Sequence, residues 1–344
     1  MHMADALLSP AVGGAFWAGT LSAIIYSAKK IKDKFDEKLI PLMGILGAFI
    51  FAGQMINFTI PGTGSSGHIG GGMLLAILLG PYPAFLVIAS VLTIQALFFA
   101  DGGLLALGAN IWNLGIYPCF IGYPLIYKAI VKGNNSTKRI TIAAIVSTVA
   151  ALQLGAFSVV IETKLSGVTE LPFSTFFLLM LPIHLAIGMV EGFITAGVVS
   201  YVRTLRPDMV ENMESVKSFS AEGSIKKVVI AIAILAAITG GAFSWFASTY
   251  PDGLEWSIEK IYGQPEISER TTPVKEQLSE IQEKTAILPD YSLPSGNEEE
   301  TEPLWPAIDP GTSLSGLIGS LIVLGSIVIF GIGIKMLRRS KERT

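Results

Sequence analysis

The chain has 344 residues, of which 51% are apolar and only 15% are charged, and its formal net charge is -3. This composition and the positive mean hydropathy are typical of an integral membrane protein and exclude an ordinary soluble domain. A single cysteine, Cys119, excludes a disulfide framework and a thiolate metal cluster. Because the basic residues are dispersed and the net charge is small, nothing indicates a nucleic-acid partner.

Nine apolar segments are candidates for membrane helices, since a bilayer core about 30 Å thick requires roughly 20 helical residues. They comprise residues 9–28, 39–58, 69–79, 84–100, 104–127, 140–161, 173–202, 228–250 and 314–334. The third segment is too short to span the bilayer alone. It starts with glycines 70–72 and ends just before Pro81. We therefore expect it to be a half-helix or a tilted segment buried among its neighbours. The sequence predicts an all-α polytopic membrane protein.

The distribution of lysine and arginine predicts the orientation, because cytoplasmic loops carry an excess of these residues. With the N-terminus outside, 19 of the 24 basic residues lie on the inner side, and an odd number of crossings makes the C-terminus cytoplasmic. The first residues lack the basic region of a cleavable signal peptide. We therefore expect Met1 to be the mature first residue.

The organisation of the chain changes after residue 205. We expect a membrane domain at residues 1–205, a cytoplasmic linker at residues 206–227 and a two-helix domain at residues 228–344. An outer loop, residues 251–313, separates the last two helices and holds 14 of the 27 acidic residues. Because this loop is rich in Glu, Pro and Ser, we expect much of it to be weakly ordered.

Two of the three histidines point to a metal site: His2, beside the free terminus, and His68, in the run PGTGSSGHIGGG. A chain that begins X-His offers a divalent metal the terminal amine of Met1 together with the amide nitrogen and imidazole of His2. A second imidazole completes four nitrogens in a plane, a geometry that Ni(II), Cu(II) and, less strictly, Co(II) prefer. His68, in a loop predicted on the same side, is the candidate fourth ligand.

This ligand set makes chemical demands that the sequence meets. The amine and the amide must both lose a proton, so binding weakens in acid and requires an unblocked first residue. Glycines around His68 permit the close backbone approach that an inserted terminus needs. The alternative interpretations are an incidental histidine at a frayed terminus and plain helix packing through the glycines.

Four blocks of sequence resemble one family. They are MHMADALLSP at residues 1–10, GTGSSGHIGG at 62–71, QALFFADGGLLALGANIWNLG at 95–115 and PDGLEW at 251–256. Residues 1–205 resemble the NikM/CbiM type, the substrate-specific component of nickel and cobalt energy-coupling-factor transporters. The remainder resembles the small two-helix NikN-type accessory subunit, or PDGLE domain, fused to it. The resemblance implies a seven-helix binder plus two further helices, with the N-terminus inserted and Ni(II) held by Met1, His2 and His68.

The resemblance also implies partners and a location. The partners are a transmembrane coupling subunit of the NikQ/CbiQ type and cytoplasmic ATPases of the NikO/CbiO type, in the cell membrane. The chain itself has no GxxxxGK[ST] phosphate loop, so we expect a transporter subunit rather than an enzyme. Ni(II) is the expected substrate, with Co(II) as the alternative, and no organic cofactor is expected.

Asp101 is the one formally charged side chain between residues 39 and 127. Intramembrane carboxylates are functional candidates, and one role is to accept a hydrogen bond from a ligand imidazole. The alternative is a simple turn at the DGG sequence. Four further residues are candidates for such supporting contacts: Gln95, Asn110, Asn113 and Ser66.

Other functions remain open on sequence grounds. His184 and Glu191 share a helix face, but no second ligand pair exists elsewhere at comparable spacing, so a helix-packing or polar-network role is favoured over a metal site. A cobalt importer for cobalamin synthesis uses the same nitrogens. A copper importer and a passive divalent-metal channel are minor alternatives, because methionines are ordinary membrane-core residues and a tight chelate favours capture over flow.

Overall fold

A computed structural model describes residues 2–33, 39–133, 136–206, 222–265, 267, 272–293, 306 and 310–341. These residues form an all-α bundle with one small hairpin. The helices are α1 (Pro10–Asp33), α2 (Leu39–Gln54), α3 (Gly72–Leu79), α4 (Pro81–Phe99), α5 (Leu107–Val131), α6 (Thr137–Ser166), α7 (Phe173–Leu205), α8 (Glu222–Gly241), α9 (Gly253–Tyr262), α10 (Pro273–Thr285) and α11 (Pro310–Lys341). Each of the nine apolar segments predicted from the sequence overlaps one of these helices.

The helices have the length and composition of a polytopic membrane protein. Among the described residues, six helices are long and apolar enough to cross a membrane, namely α1, α4, α5, α6, α7 and α11, and α2 is a shorter apolar helix. The short third segment is indeed a short helix: α3 has eight residues, all buried. A core of aliphatic and aromatic side chains runs continuously through α2 to α7.

The second helix ends earlier than the sequence predicts. It stops at Gln54, and residues up to 67 form an antiparallel hairpin of β1 (Phe58–Ile60) and β2 (Ser65–Gly67). Gly62 and Gly64 adopt φ angles of 77° and 74° in the connecting turn, a backbone region that favours glycine. The hairpin matters because β2 leads directly into His68.

The loop at residues 251–313 is more ordered than the sequence predicts. Its described part contains α9, α10 and a short 3-10 turn, Pro289–Tyr291. The start of α9 is fixed by a capping box, in which Asp252 accepts from the N–H of Glu255 while the Glu255 carboxylate accepts from the N–H of Asp252. The expectation of weak order is therefore wrong for α9 and α10, because local capping signals and buried apolar residues such as Leu254 outweigh the polar composition.

The C-terminal helices pack against the rest of the bundle through small residues. Gly44 and Gly47 on α2 lie directly under side chains of α11, and Ser320 donates a hydrogen bond to the carbonyl of Ala48 at 3.1 Å. Helices α8 and α11 cross where Gly240 faces Gly316. This packing brings the segment between α8 and α11 over one end of the bundle, which we call the site end.

The Gly240–Gly316 crossing gives a prediction about stability. A Cβ atom at Gly316 would overlap the carbonyl oxygen of Gly240, and backbone cannot yield as a flexible side chain can. We expect Gly316→Ala to lower the free energy of unfolding by about 1–3 kcal/mol, the usual cost of overpacking. Thermal unfolding in detergent, followed by fluorescence, measures the change.

The matched control is Gly325→Ala on the same helix, where a Cβ meets no atom within 4 Å. This variant should melt at or above the temperature of the unsubstituted protein, because alanine favours helix over glycine. Equal melting temperatures for the two variants would show that the close crossing does not hold the C-terminal helices in place.

Candidate metal centre

The segment before α1 enters the bundle and is held there by polar contacts. The N–H of Met3 donates to Asn110 Oδ1 at 2.8 Å, and the Asn110 amide donates to the carbonyl of Met3 at 3.2 Å. The N–H of Gly103 also donates to this carbonyl, at 3.0 Å. Because Met3 is completely buried, these bonds replace those that water would make. Hydrogen bonds thus fix both the N–H and the carbonyl of Met3, the residue next to His2.

Asp5 anchors the same segment to the start of α5. Its two carboxylate oxygens accept hydrogen bonds from the N–H groups of Leu105, at 3.1 Å, and Ala106, at 2.9 Å. A carboxylate at this position satisfies amides that have no partner within the helix and is favoured by the helix dipole. Gly103 faces this carboxylate so closely that no Cβ atom would fit.

The two histidines predicted to share a site do meet. The ring centroids of His2 and His68 are 4.9 Å apart, with an angle of 42° between the ring planes. Both side chains are almost completely buried, with 7% of the His2 side chain exposed and 9% of His68. Within the described part of the chain, His2 Nε2 has no hydrogen-bond partner. Two imidazoles in contact, one with an unused nitrogen, are a ligand set suited to a transition metal.

The hairpin determines how His68 is presented. His68 follows β2, and its Nδ1 contacts the carbonyl of Ile69 at 3.1 Å. A carbonyl only accepts, so this contact requires the hydrogen on Nδ1 and leaves Nε2 as the basic nitrogen. Burial lowers the pKa of His68 to about 3. The ring is therefore neutral at ordinary pH, which is the form that binds metals.

Asp101 lies against the His2 ring. Its Oδ1 is 2.6 Å from His2 Nδ1, and its Oδ2 accepts a hydrogen bond from the hydroxyl of Tyr291 at 2.5 Å. Burial would raise the pKa of Asp101, but the charge of His2 and the hydrogen bonds from His2 and Tyr291 hold it below its usual range. The side chain is thus a carboxylate that touches a candidate ligand. It follows Ala100, whose left-handed backbone (φ 55°) ends α4.

The other predicted supporting residues have different contacts. Gln95 contributes its backbone carbonyl, which accepts from the N–H of Asp101 at 3.1 Å, and Asn110 holds Met3 as described above. Asn113 instead donates to Glu162 at 3.0 Å, in a network between α5 and α6. Ser66 donates to the carbonyl of Tyr250 at 2.7 Å, so it ties the hairpin to the C-terminal segment. Met1, the remaining predicted ligand residue, lies outside the described residues.

Glu191 has a role that sequence reasoning did not identify. Its oxygens accept hydrogen bonds from the N–H groups of Gly70, at 3.0 Å, and Gly71, at 2.8 Å. These amides precede the first turn of α3, where an anion is favoured, so Glu191 fixes the loop that follows His68. The signal available in the sequence is an acidic residue inside an apolar helix together with a glycine-rich loop that carries unpaired amides.

His184 takes part in packing at the same end. Its Nδ1 donates to the carbonyl of Met180 at 2.7 Å, and its ring lies against Gly253, where a Cβ would come within 3.0 Å of His184 Cε1. Among the described residues, no group of three or more His, Cys, Asp or Glu side chains is arranged to hold a metal ion.

A cavity of about 570 Å³ opens beside His2 and Asp101. We call it the acidic vestibule, because carboxylates from both parts of the chain line it. These are Asp5, Asp101, Glu255 and Asp290. The wall opposite His2 is formed by α9 and α10, so the C-terminal segment bounds the approach to the histidine pair.

Comparison with known sequences and structures agrees with this architecture. The family described as "Cobalt uptake substrate-specific transmembrane region" matches residues 2–209, and the "PDGLE domain" matches residues 226–336. A putative fused nickel transport protein NikMN of Archaeoglobus fulgidus is 37% identical over 94% of this chain and 96% of its own length. The cobalt transport protein CbiM of Sorangium cellulosum is 31% identical over 63% of this chain and 97% of its own length.

A solved structure supports the same relationship. The crystal structure of a transition metal transporter superposes with a TM-score of 0.53 at 32% sequence identity, and it covers 63% of this chain and 99% of its own length. The chain therefore belongs to the family of cobalt uptake substrate-specific transmembrane proteins, a family of membrane components for nickel and cobalt transport, and carries a PDGLE domain at its C-terminal end.

Proposed function

We propose that this chain is the substrate-binding membrane subunit of an ATP-driven nickel uptake transporter. The observation that carries the proposal is the buried contact between the imidazoles of His2 and His68, whose ring centroids are 4.9 Å apart. His2 lies on the N-terminal segment, which is inserted among the helices. Such an arrangement places a second imidazole beside the start of the chain. The fused nickel transport protein to which the chain is similar along nearly its whole length supports nickel as the substrate.

The proposed ligands are the terminal amine of Met1, the amide nitrogen and imidazole of His2, and the imidazole of His68. The amine and the amide close a five-membered chelate ring with the metal, and the amide and His2 Nδ1 close a six-membered ring. In the structure Nδ1 contacts Asp101. When Nδ1 binds the metal, the ring hydrogen lies on Nε2, which is then the nitrogen that can donate to a carboxylate such as Asp101, as in the carboxylate–histidine–metal arrangement common in metal sites.

Nickel is favoured over the alternatives by this ligand set. Four nitrogens in a plane suit Ni(II), whereas Co(II) accepts that geometry less strictly. A cobalt importer is the second candidate, supported by similarity to a cobalt transport protein. Copper import through thioether ligands and passive conduction have less support, because the described residues that meet at the site offer nitrogen ligands and enclose the histidines instead of lining an open pore.

Transport by this mechanism requires other subunits. Because the sequence has no phosphate-binding GxxxxGK[ST] loop, we propose a coupling subunit of the NikQ/CbiQ type and ATPases of the NikO/CbiO type as partners. The excess of Lys and Arg on one side of the predicted topology supports an N-terminus outside the cell membrane and a cytoplasmic C-terminus. The site end would then face the medium from which the metal comes, through the acidic vestibule.

The ligand set is tested by changing the start of the chain. Two alanines added before Met1 remove the amine from its chelating position without making His2 the third residue, where it would form a different four-nitrogen chelate, and His68→Ala removes the fourth nitrogen. We expect the native protein to hold one Ni(II) with the absorption spectrum of planar nitrogen coordination and each variant to bind at least about 100-fold more weakly, since each loses a direct ligand. Metal content and the visible spectrum of the purified proteins measure this.

The matched control carries two added alanines at the C-terminus and should bind as the native protein does. If the native protein, the N-terminal extension and His68→Ala hold equal amounts of Ni(II), the metal site lies elsewhere. The chain would then keep its family assignment, but the proposed chelate would be wrong.

The acidic vestibule gives a separate prediction about the rate of capture. Clefts lined by one sign of charge raise the rate at which counter-ions arrive. Burial and the neighbouring Asp252 raise the pKa of Glu255 to about 7, so above about pH 8 Glu255→Gln removes one vestibule charge. The glutamine side chain can still accept from the N–H of Asp252 in the capping box. We expect the Ni(II) association rate constant to fall roughly 3-fold at low ionic strength, with little change in high salt. Stopped-flow mixing with a metal indicator measures it.

Glu170→Gln is the control, because this exposed residue lies between α6 and α7 and does not line the vestibule. It should leave the association rate constant nearly unchanged. An equal effect of the two substitutions would mean that only the overall charge matters and that the vestibule does not guide the ion.

A further inference from the structure

The structure assigns Tyr291, in the C-terminal domain, to the metal centre as a positioning residue. Its hydroxyl holds Asp101, the carboxylate that touches the ring of His2, so the domain that follows residue 226 completes a site whose ligands lie in the first 70 residues. This inference rests on the function proposed above. It concerns which residue fixes the ligand geometry, not which residues bind the metal.

Asp101 is held from two sides. Oδ1 contacts His2 Nδ1 at 2.6 Å and Oδ2 accepts from the Tyr291 hydroxyl at 2.5 Å, so each oxygen has one close partner. A carboxylate fixed at one oxygen can turn about its Cβ–Cγ bond, whereas one fixed at both oxygens cannot turn without breaking a charge-assisted hydrogen bond. Tyr291 therefore sets the direction in which Asp101 meets the histidine.

Tyr291 is itself firmly located. Its ring stacks on Phe99 with centroids 5.0 Å apart and an interplanar angle of 21°, and it meets the edge of Phe51 at 6.1 Å. Its carbonyl accepts from the hydroxyl of Ser315 on α11 at 2.9 Å. Contacts with α4, α2 and α11 thus converge on this one residue.

The backbone at this position is strained. Asp290 and Tyr291 both have positive φ angles, 50° and 60°. For residues other than glycine such angles cost on the order of 1 kcal/mol or more each and persist where the surroundings impose them, often at functional sites. Here this backbone conformation directs the tyrosine ring toward α4 and its hydroxyl toward Asp101.

The segment before Tyr291 is attached to the loop that carries Asp101. Gln282 donates from one amide nitrogen to the carbonyls of Ala96 and Gly102, both at 2.8 Å. The N–H groups of Ile287 and Leu288 both point to the carbonyl of Phe98, at 3.0 and 3.2 Å. These acceptors include the last carbonyls of α4, which have no partner within the helix. The C-terminal domain thus binds the chain on both sides of Asp101.

The experiment compares Tyr291→Phe with the native full-length chain after loading with Ni(II). Phenylalanine keeps the stacked ring and the docking of the domain and removes only the hydroxyl. Since substitutions that remove the partners of metal ligands typically weaken binding 10- to 100-fold, we expect Ni(II) to dissociate into excess chelator about 10-fold faster. The absorption band of the bound ion should shift, because the imidazole of His2 is less firmly oriented.

Two further variants separate positioning from general loosening. Tyr262→Phe alters a tyrosine at the end of α9 that does not touch Asp101 and should dissociate Ni(II) at the native rate. Asp101→Ala removes the group through which Tyr291 acts, so Tyr291→Phe should add little in that background. A purely structural tyrosine would give the same increase in both backgrounds and leave the spectrum unchanged.

The outcomes distinguish this inference from the proposed function. If the native chain holds Ni(II) in a His68-dependent way but Tyr291→Phe releases it at the native rate, the role of Tyr291 is wrong and the chelate stands. An additive effect in the Asp101→Ala background also overturns the role. If the native chain holds no His68-dependent Ni(II), both the chelate and the inference fail.

Discussion

The architecture of the site depends on the need to pair every polar group of an extended segment that is inserted among apolar helices. An unpaired N–H or carbonyl in such surroundings costs several kcal/mol, and residues 2–4 precede the short 3-10 turn Asp5–Leu7 and lie outside any helix. Asn110 and Gly103 pair the backbone of Met3, and the amides that begin α5 pair Asp5. The path of the segment that makes these bonds also brings His2 against His68.

The same requirement acts on the loop after His68. Residues 69–71 have no regular structure, and Glu191 supplies the acceptors for two of their amides, while Gln54 donates to the carbonyl of Gly70 at 2.9 Å. Both partners are buried polar side chains on apolar helices. A histidine placed on a hairpin would otherwise move with it. Here hydrogen bonds hold its loop against α2 and α7, and these rigid helices restrict the movement of the histidine ring.

Much of the fold and of the histidine pair could be predicted from the sequence because both depend on local sequence patterns. Apolar runs indicate the helices, and the rarity of histidine in a membrane protein points to His2 and His68. The meeting of these two rings follows from a terminus tethered by α1 and a loop expected on the same side. The hairpin and α9 were accessible in principle, through the glycines at residues 62 and 64 and the capping residues Asp252 and Glu255, but composition argued against order there.

The role of Tyr291 could not be predicted in this way. It is 190 residues from Asp101 in the sequence, and no spacing or motif connects a tyrosine in a polar loop with a carboxylate at the end of an apolar helix. Asn113 shows the opposite difficulty, since nearness in the sequence to Asp101 suggested a shared site, yet the helix directs it to Glu162. Long-range partners are set by packing, which a single sequence does not reveal.

The covalent connection between the two domains has a consequence for assembly. Tethering turns the docking of one module on another into an intramolecular event, with an effective concentration on the order of millimolar for a short flexible linker. The two domains are then always present in a one-to-one ratio. The hydrogen bond between Tyr291 and Asp101 therefore does not depend on how much of the protein the membrane contains. Two separate polypeptides would have to be made in matched amounts to reach the same occupancy.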